Sequence, residues 1–139
     1  PPLSQEQQLL WLEKTLNDTT KKKYIIIHQL NKKPVGMVSL MKIDLAFQKA
    51  EFGITIGEKN YWGTGVAKAA SNMILHYAFQ VLKLEEIYLT VFEANIRAIQ
   101  FFSNLGFVKT GNTFTNENGT LLTAMSLKKT HFLNQTLSP

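Results

Sequence analysis

The residues able to do chemistry gather at a glycine loop and at the ends of two β-branched runs. Gly63-Thr64-Gly65-Val66-Ala67-Lys68 opens a helical pattern directly after an apolar run that starts at Glu51 and ends at Gly57. A strand, a glycine loop and a helix start in that order suit a phosphate. The first backbone N–H groups of a helix lack partners within it, the helix dipole favours negative charge, and glycines let the backbone come close. Lys68 and Arg97 either add charge to such a site or are solvated surface cations. The loop is not a Walker loop, because no Gly-Lys-Ser/Thr follows. A dinucleotide fingerprint would need a third glycine where Lys68 stands. Glu51 opens one β-branched run, Glu93 follows the next, and Asn95 sits at the N-cap position of a second helical pattern.

Other chemistries are excluded or weak. With no cysteine in the chain, disulfides, thiolate metal sites and a cysteinyl acyl intermediate are ruled out. His28, His76 and His131 are too scattered for a metal site, and no nucleophile elbow is present. The net charge of +5 admits an anionic ligand, but the lysines fall in short clusters near turns and ends. Nucleic acid is therefore a weak reading, and no aromatic RNA-binding strand supports it.

The elements that must position these residues follow from periodicity. The 139 residues, 45% hydrophobic, suit one domain with its own core, over residues 1–130, followed by a polar tail over 131–139. No run is apolar enough to cross a bilayer and residues 1–20 do not form a signal peptide, so the expected setting is the cytoplasm. Ser4-Gln5-Glu6-Gln7 fits a capping box, and Leu9 to Leu16 predicts a helix. Tyr24–His28 and Val35–Ile43 predict an antiparallel hairpin, with a third strand over Lys49–Ile56. Gly65 to Leu82 predicts a long helix. The strand Ile87–Phe92, reached by a helical crossover, should lie parallel to the third. Ile96–Leu105 predicts a short helix ending at Gly106, and Leu121–Leu127 the last strand. Period-2 alternation puts Glu51 on one face with Gly53 and Thr55, and Phe52, Ile54 and Ile56 on the other.

Taken together, these residues resemble the GNAT N-acetyltransferases. Glu51-Phe52-Gly53-Ile54 leading into Tyr61-Trp62-Gly63-Thr64-Gly65-Val66-Ala67 is similar to the family's acetyl-CoA loop. Leu82 to Val91, ending in Asn95, is similar to its next strand. Asn95-x-x-Ala98 through Leu105-Gly106-Phe107 is similar to its Asn-x-x-Ala…Leu-Gly-Phe helix. The style of the loop resembles the branch acting on ribosomal-protein N-termini, spermidine and amino sugars, and Tyr77–Phe92 resembles the pseudaminic acid synthesis acetyltransferase.

The resemblance implies an α/β GNAT fold with a mixed central sheet flanked by helices. It implies acetyl transfer from acetyl-CoA to a primary amine in a ternary complex, the amine being an amino sugar nucleotide, a polyamine or a protein N-terminus. The expected cofactor contacts are Ile54, Ile56, Trp62, Gly63, Thr64, Gly65, Val66, Ala67, Lys68, Asn95, Ala98 and Phe102. Glu51 is the first candidate for the base that takes the amine's proton, and Glu93 the second. A backbone N–H near Ile56 should polarise the thioester carbonyl, where the third strand parts from the next.

Trp62 and Phe102 depart from the family pattern. Trp62 replaces an Arg or Gln, and Phe102 replaces a tyrosine that protonates the leaving thiolate; Ser103 and Tyr88 are the alternative donors. The family's first strand and helix have no counterpart ahead of Ser4, so either the sequence is a fragment or the missing strand's place is filled otherwise, as by a neighbouring chain in a homodimer. The alternative function is a catalytically silent coenzyme A-binding or regulatory domain.

Overall fold

The computed structural model describes residues 9–14, 19–28, 33–56 and 65–137. Seven strands form one sheet: β1 (Leu9–Lys14), β2 (Lys22–His28), β3 (Pro34–Asp44), β4 (Lys49–Ile56), β5 (Glu86–Phe92), β6 (Val108–Thr115) and β7 (Leu121–Lys128). Their order is β1-β2-β3-β4-β5-β7-β6. Every neighbouring pair is antiparallel except β4 and β5. That parallel pair is bridged by α1 (Val66–His76), which runs on into a π-helical turn over Tyr77–Val81. A second helix, α2 (Ile96–Leu105), joins β5 to β6, and α3 (Lys129–Leu137) follows β7.

Two expectations are corrected. Leu9 to Leu16 was expected as a helix, yet Leu9–Lys14 is an edge strand, in register with β2 from Leu9 opposite His28 to Lys14 opposite Lys23. A short apolar run such as Leu9-Leu10-Trp11-Leu12 suits either period. The N–H and C=O groups on the free side of β2 decide it, because pairing satisfies them. In this chain the strand beside β2 is β1. The capping box at Ser4–Gln7 lies outside the described residues.

The second correction concerns the tail. Lys129–Leu137 is helical and docks through Phe132, which is 1% exposed and packs on Phe79 (ring centroids 5.2 Å apart) and His76 (4.8 Å). Its sequence is polar apart from this anchor, Leu133 and Leu137, which is why composition misses it. Gln135 Nε2 donates to the Leu105 carbonyl at 3.1 Å, tying α3 to the end of α2. Gly106 makes this approach feasible: its φ is 110°, and a Cβ there would lie 2.5 Å from the Gln135 amide. The long helix also departs in detail, since Leu82 N–H donates to Tyr77 O five residues back.

The two faces of the sheet differ. Cross-strand partners share a face. One face carries Leu40 opposite Phe52, Ile87 opposite Leu127 and Leu89 opposite Met125, all at most 4% exposed. Phe52 meets Phe102 of α2 at 6.2 Å and stacks on Phe107 at 6.0 Å. The other face carries Glu51, Gly53 and Thr55 of β4 with Tyr88, Thr90 and Phe92 of β5, which are half-buried or exposed. The predicted alternation of Glu51 against Phe52 holds.

Candidate active site

The sheet forks at one place. The parallel ladder of β4 and β5 has three rungs, Lys49–Glu86, Ala50–Ile87 and Glu51–Tyr88, and then stops. Past that rung β4 stays paired to β3 as far as Ile56 opposite Gly36. On its other side β5 stays paired to β7 as far as Phe92 opposite Leu122. Between them the facing edges of Phe52–Ile56 and Leu89–Phe92 are not paired to each other. The fork opens towards the carboxyl ends of two parallel strands, where open α/β sheets bind ligands. This is the parting of strands anticipated near Ile56, and it begins five residues earlier.

Both helices that follow these strands start at the mouth of the fork. Gly65 precedes α1 at φ 90°, a left-handed conformation that favours glycine, and its carbonyl accepts from Ala69 N–H at 2.9 Å. Val66 is buried and fixes the helix start, while Ala67 is half-buried and Lys68 exposed. The first-turn amides of Val66, Ala67 and Lys68 have no carbonyl partner within the helix by its geometry. Trp62, Gly63 and Thr64 lie outside the described residues.

At the second helix Asn95 caps as its type predicts. Its Oδ1 accepts from Ala98 N–H at 3.1 Å. Its Nδ2 protons are separate donors. Ala98 is half-buried and Arg97 is exposed on the first turn.

Phe102 lies in an aromatic cluster with Phe52, Phe101 and Phe107, at 5.4 to 6.2 Å between centroids. It is an apolar wall with no acidic proton. Ile54 packs against the core, and Ile56 ends the β3–β4 ladder. Ser103, one of the alternative donors, is exposed on α2. His76 is a packing residue against Phe132. No group of three metal-ligating side chains occurs among the described residues.

The two candidate bases are not brought together. Glu51 sits on the last rung at the apex of the fork, with its side chain 26% exposed and Lys42 Nζ 3.9 Å away. Glu93 lies beyond the end of β5, paired with Lys109 at 3.4 Å. Five residues separate Glu93 from Tyr88, the rung partner of Glu51, which is about 16 Å along a strand. One acceptor nitrogen cannot serve both.

The structure adds neighbours that sequence reading did not assemble. Lys42 reaches Glu51 from a bulge in β3, where the register shifts between Met41 and Asp44 and Lys42 has φ 52°. Ser126 Oγ donates to Glu86 at 2.6 Å, which with Lys128 at 3.1 Å holds the Glu86 carboxyl below its ordinary value against the opposing effect of burial. Burial first, and then the carboxylates of Glu51, Asp44 and Glu86, push the Tyr88 phenol above its ordinary value. The alternation in Glu86-Ile87-Tyr88 signals a shared face for Glu86 and Tyr88. Only the register across strands joins them to Glu51.

Known proteins share this fold. A family model described as an acetyltransferase (GNAT) domain matches residues 1–108. The chain is 31% identical over 99 residues to a spermidine N(1)-acetyltransferase of Vibrio cholerae, covering 71% of this chain and 56% of the relative. It is 32% identical over 76 residues to a putative ribosomal N-acetyltransferase of Bacillus subtilis, covering 55% and 41%. The chain thus spans about half the length of the curated relatives it matches. Among solved structures, a dodecameric spermidine N-acetyltransferase from Vibrio cholerae superposes with a TM-score of 0.76 at 28% identity, covering 86% of this chain and 71% of that one. A spermidine/spermine N-acetyltransferase from the same organism reaches 0.83 at 22% identity, over 96% and 99%. The forked mixed sheet, the two helix starts at its mouth and the match over residues 1–108 agree: the chain belongs to the GNAT acetyltransferase family.

Proposed function

We propose that the protein transfers an acetyl group from acetyl-CoA to a primary amine. The observation that carries this reading is the fork, with Glu51 at its apex and the starts of α1 and α2 at its mouth. The amides of Val66–Lys68 and the loop before them suit the pyrophosphate. The facing edges of β4 and β5 offer hydrogen-bonding groups to the amides of a pantetheine arm, with Asn95 beside it. Phe102 excludes water from the thioester.

An alkylamine has a pKa near ~10 and is protonated at neutral pH. Glu51 takes that proton, directly or through a water. The amine nitrogen then attacks the carbonyl carbon, the C–N bond forms, the C–S bond breaks, and the nitrogen's second proton goes to the departing thiolate, giving the amide and the free thiol. A thiol's pKa of about 8.5 lets the thiolate leave without a side-chain acid, which fits a phenyl ring at position 102. Glu93, at the far rim, has no part in this step.

Among acceptors we place a polyamine first. Glu51, Asp44 and Glu86 lie on one face of the sheet, where a polycation would compete with Lys42 and Lys128 for the carboxylates they now pair. The relatives include a spermidine N-acetyltransferase and a putative ribosomal one, which keeps a protein N-terminus as the second class. We also propose self-association, as in the dodecameric relative. No helix among the described residues is long and apolar enough to cross a membrane.

The test is release of coenzyme A thiol from acetyl-CoA with spermidine, an amino sugar nucleotide and a peptide N-terminus. Amine-dependent release, fastest with spermidine, is expected. Acetyl-CoA binding with no release for any amine would establish the silent-domain alternative instead.

A further inference from the structure

We propose that Tyr88 seats the acceptor: its ring and the Glu51 carboxylate form one ammonium-binding subsite at the apex of the fork. The inference rests on the acetyltransferase reading and adds a residue to it.

The argument starts from access. On one side of the sheet the apex is closed. Ala50, Phe52, Ile87 and Leu89 are 0–4% exposed and lie under the helices. An acceptor therefore reaches the apex from the other side, where Glu51 and Tyr88 share a rung and both side chains are partly exposed. Side chains on one rung point to the same face. At the apex of the fork, these are the two side chains that this side presents.

The chemistry of the pair suits a cation. Glu51 shares the rung with Tyr88, Glu86 lies two residues before Tyr88 on the same face of β5, and Ser126 of β7 lies opposite it. The phenol stays neutral in this surround, so the ring keeps an electron-rich face that attracts an ammonium. Among the described residues lysines lie over Tyr77 and Phe47, at 5.9 and 5.8 Å, and neither covers Tyr88. The Glu51 carboxylate already holds one alkylammonium, that of Lys42, at 3.9 Å. The Lys42 side chain is 71% exposed, so an incoming amine displaces it easily.

The measurement compares Tyr88→Ala, Tyr88→Leu and Tyr88→Phe with the parent chain, using the best amine of the panel. Alanine and leucine should each raise the acceptor KM about tenfold, leaving the acetyl-CoA KM unchanged. Leucine keeps apolar volume and guards against a folding defect. Phenylalanine should stay within twofold, because it keeps the ring. An unchanged acceptor KM in Tyr88→Leu would overturn the proposal. So would a loss of kcat in Tyr88→Phe equal to that in Tyr88→Ala, which would make the hydroxyl a proton donor. If the parent chain turns over no amine, the acetyltransferase reading fails by itself. Equilibrium dialysis of 1,3-diaminopropane then decides for Tyr88: weaker binding to Tyr88→Leu sustains the subsite, and equal binding overturns it.

Discussion

Glu51 and Phe52 are neighbours in sequence and opposites in role. Phe52 turns into the packed side of the sheet, 4% exposed, against Phe102 and Phe107. Glu51 turns to the side where water and an amine can arrive, on the last rung before β4 and β5 part. A strand's period of 2 makes this division unavoidable. The same eight-residue strand both anchors the core and presents the group proposed to do chemistry. Rigidity at Phe52 is what holds Glu51 still.

Substitutions at these two positions separate the roles. Phe52→Ala should cost about 3–5 kcal/mol of stability, the usual range for emptying a buried aromatic site. Thermal or urea unfolding measures it, and a loss under 1 kcal/mol would mean that the aromatic cluster is loosely packed. Glu51→Gln should leave unfolding unchanged and lower kcat about a hundredfold, or ~2.7 kcal/mol in barrier. The loss should shrink as pH rises and more of the amine is already neutral. A rate equal to the parent's at every pH would remove Glu51 as the base.

A smaller effect sharpens the contrast along the same open side. Ser126→Ala removes a hydrogen bond to the Glu86 carboxylate, and should cost about 1 kcal/mol near neutral pH. Because the folded-state pKa of Glu86 is lowered, its contribution is present above the ordinary carboxylate range and fades as pH falls through it. Parent and variant should therefore converge in stability in acid. A gap that persists at low pH would mean that Ser126 matters by packing alone.

What could be read beforehand follows the range of the signal. Asn95 as a cap, Gly106 as a helix terminator and the alternation of Glu51 with Phe52 are local, and each appears as anticipated. Leu9–Lys14 misled because a short apolar run has no period of its own, and the unpaired edge of β2 chose for it. Phe132 misled because one buried ring can dock an otherwise polar helix. The apex of the fork was beyond reach: the rung joining Glu51 to Tyr88 depends on how far two strands stay in register across a helical crossover. The family resemblance named the strands and put their parting near Ile56, five residues beyond the last rung.

The clasp between Gln135 and Leu105 gives the C-terminal helix a mechanical meaning. The helix α2 is a rod of ten residues, about 15 Å long, with Asn95 at one end and this clasp at the other. A rod pinned at its far end transmits displacement to its tip. Cutting the chain at residue 130, as a polar tail would invite, unpins it. The disturbance would then surface at the mouth of the fork, where the donor is proposed to lie, and not at the cut.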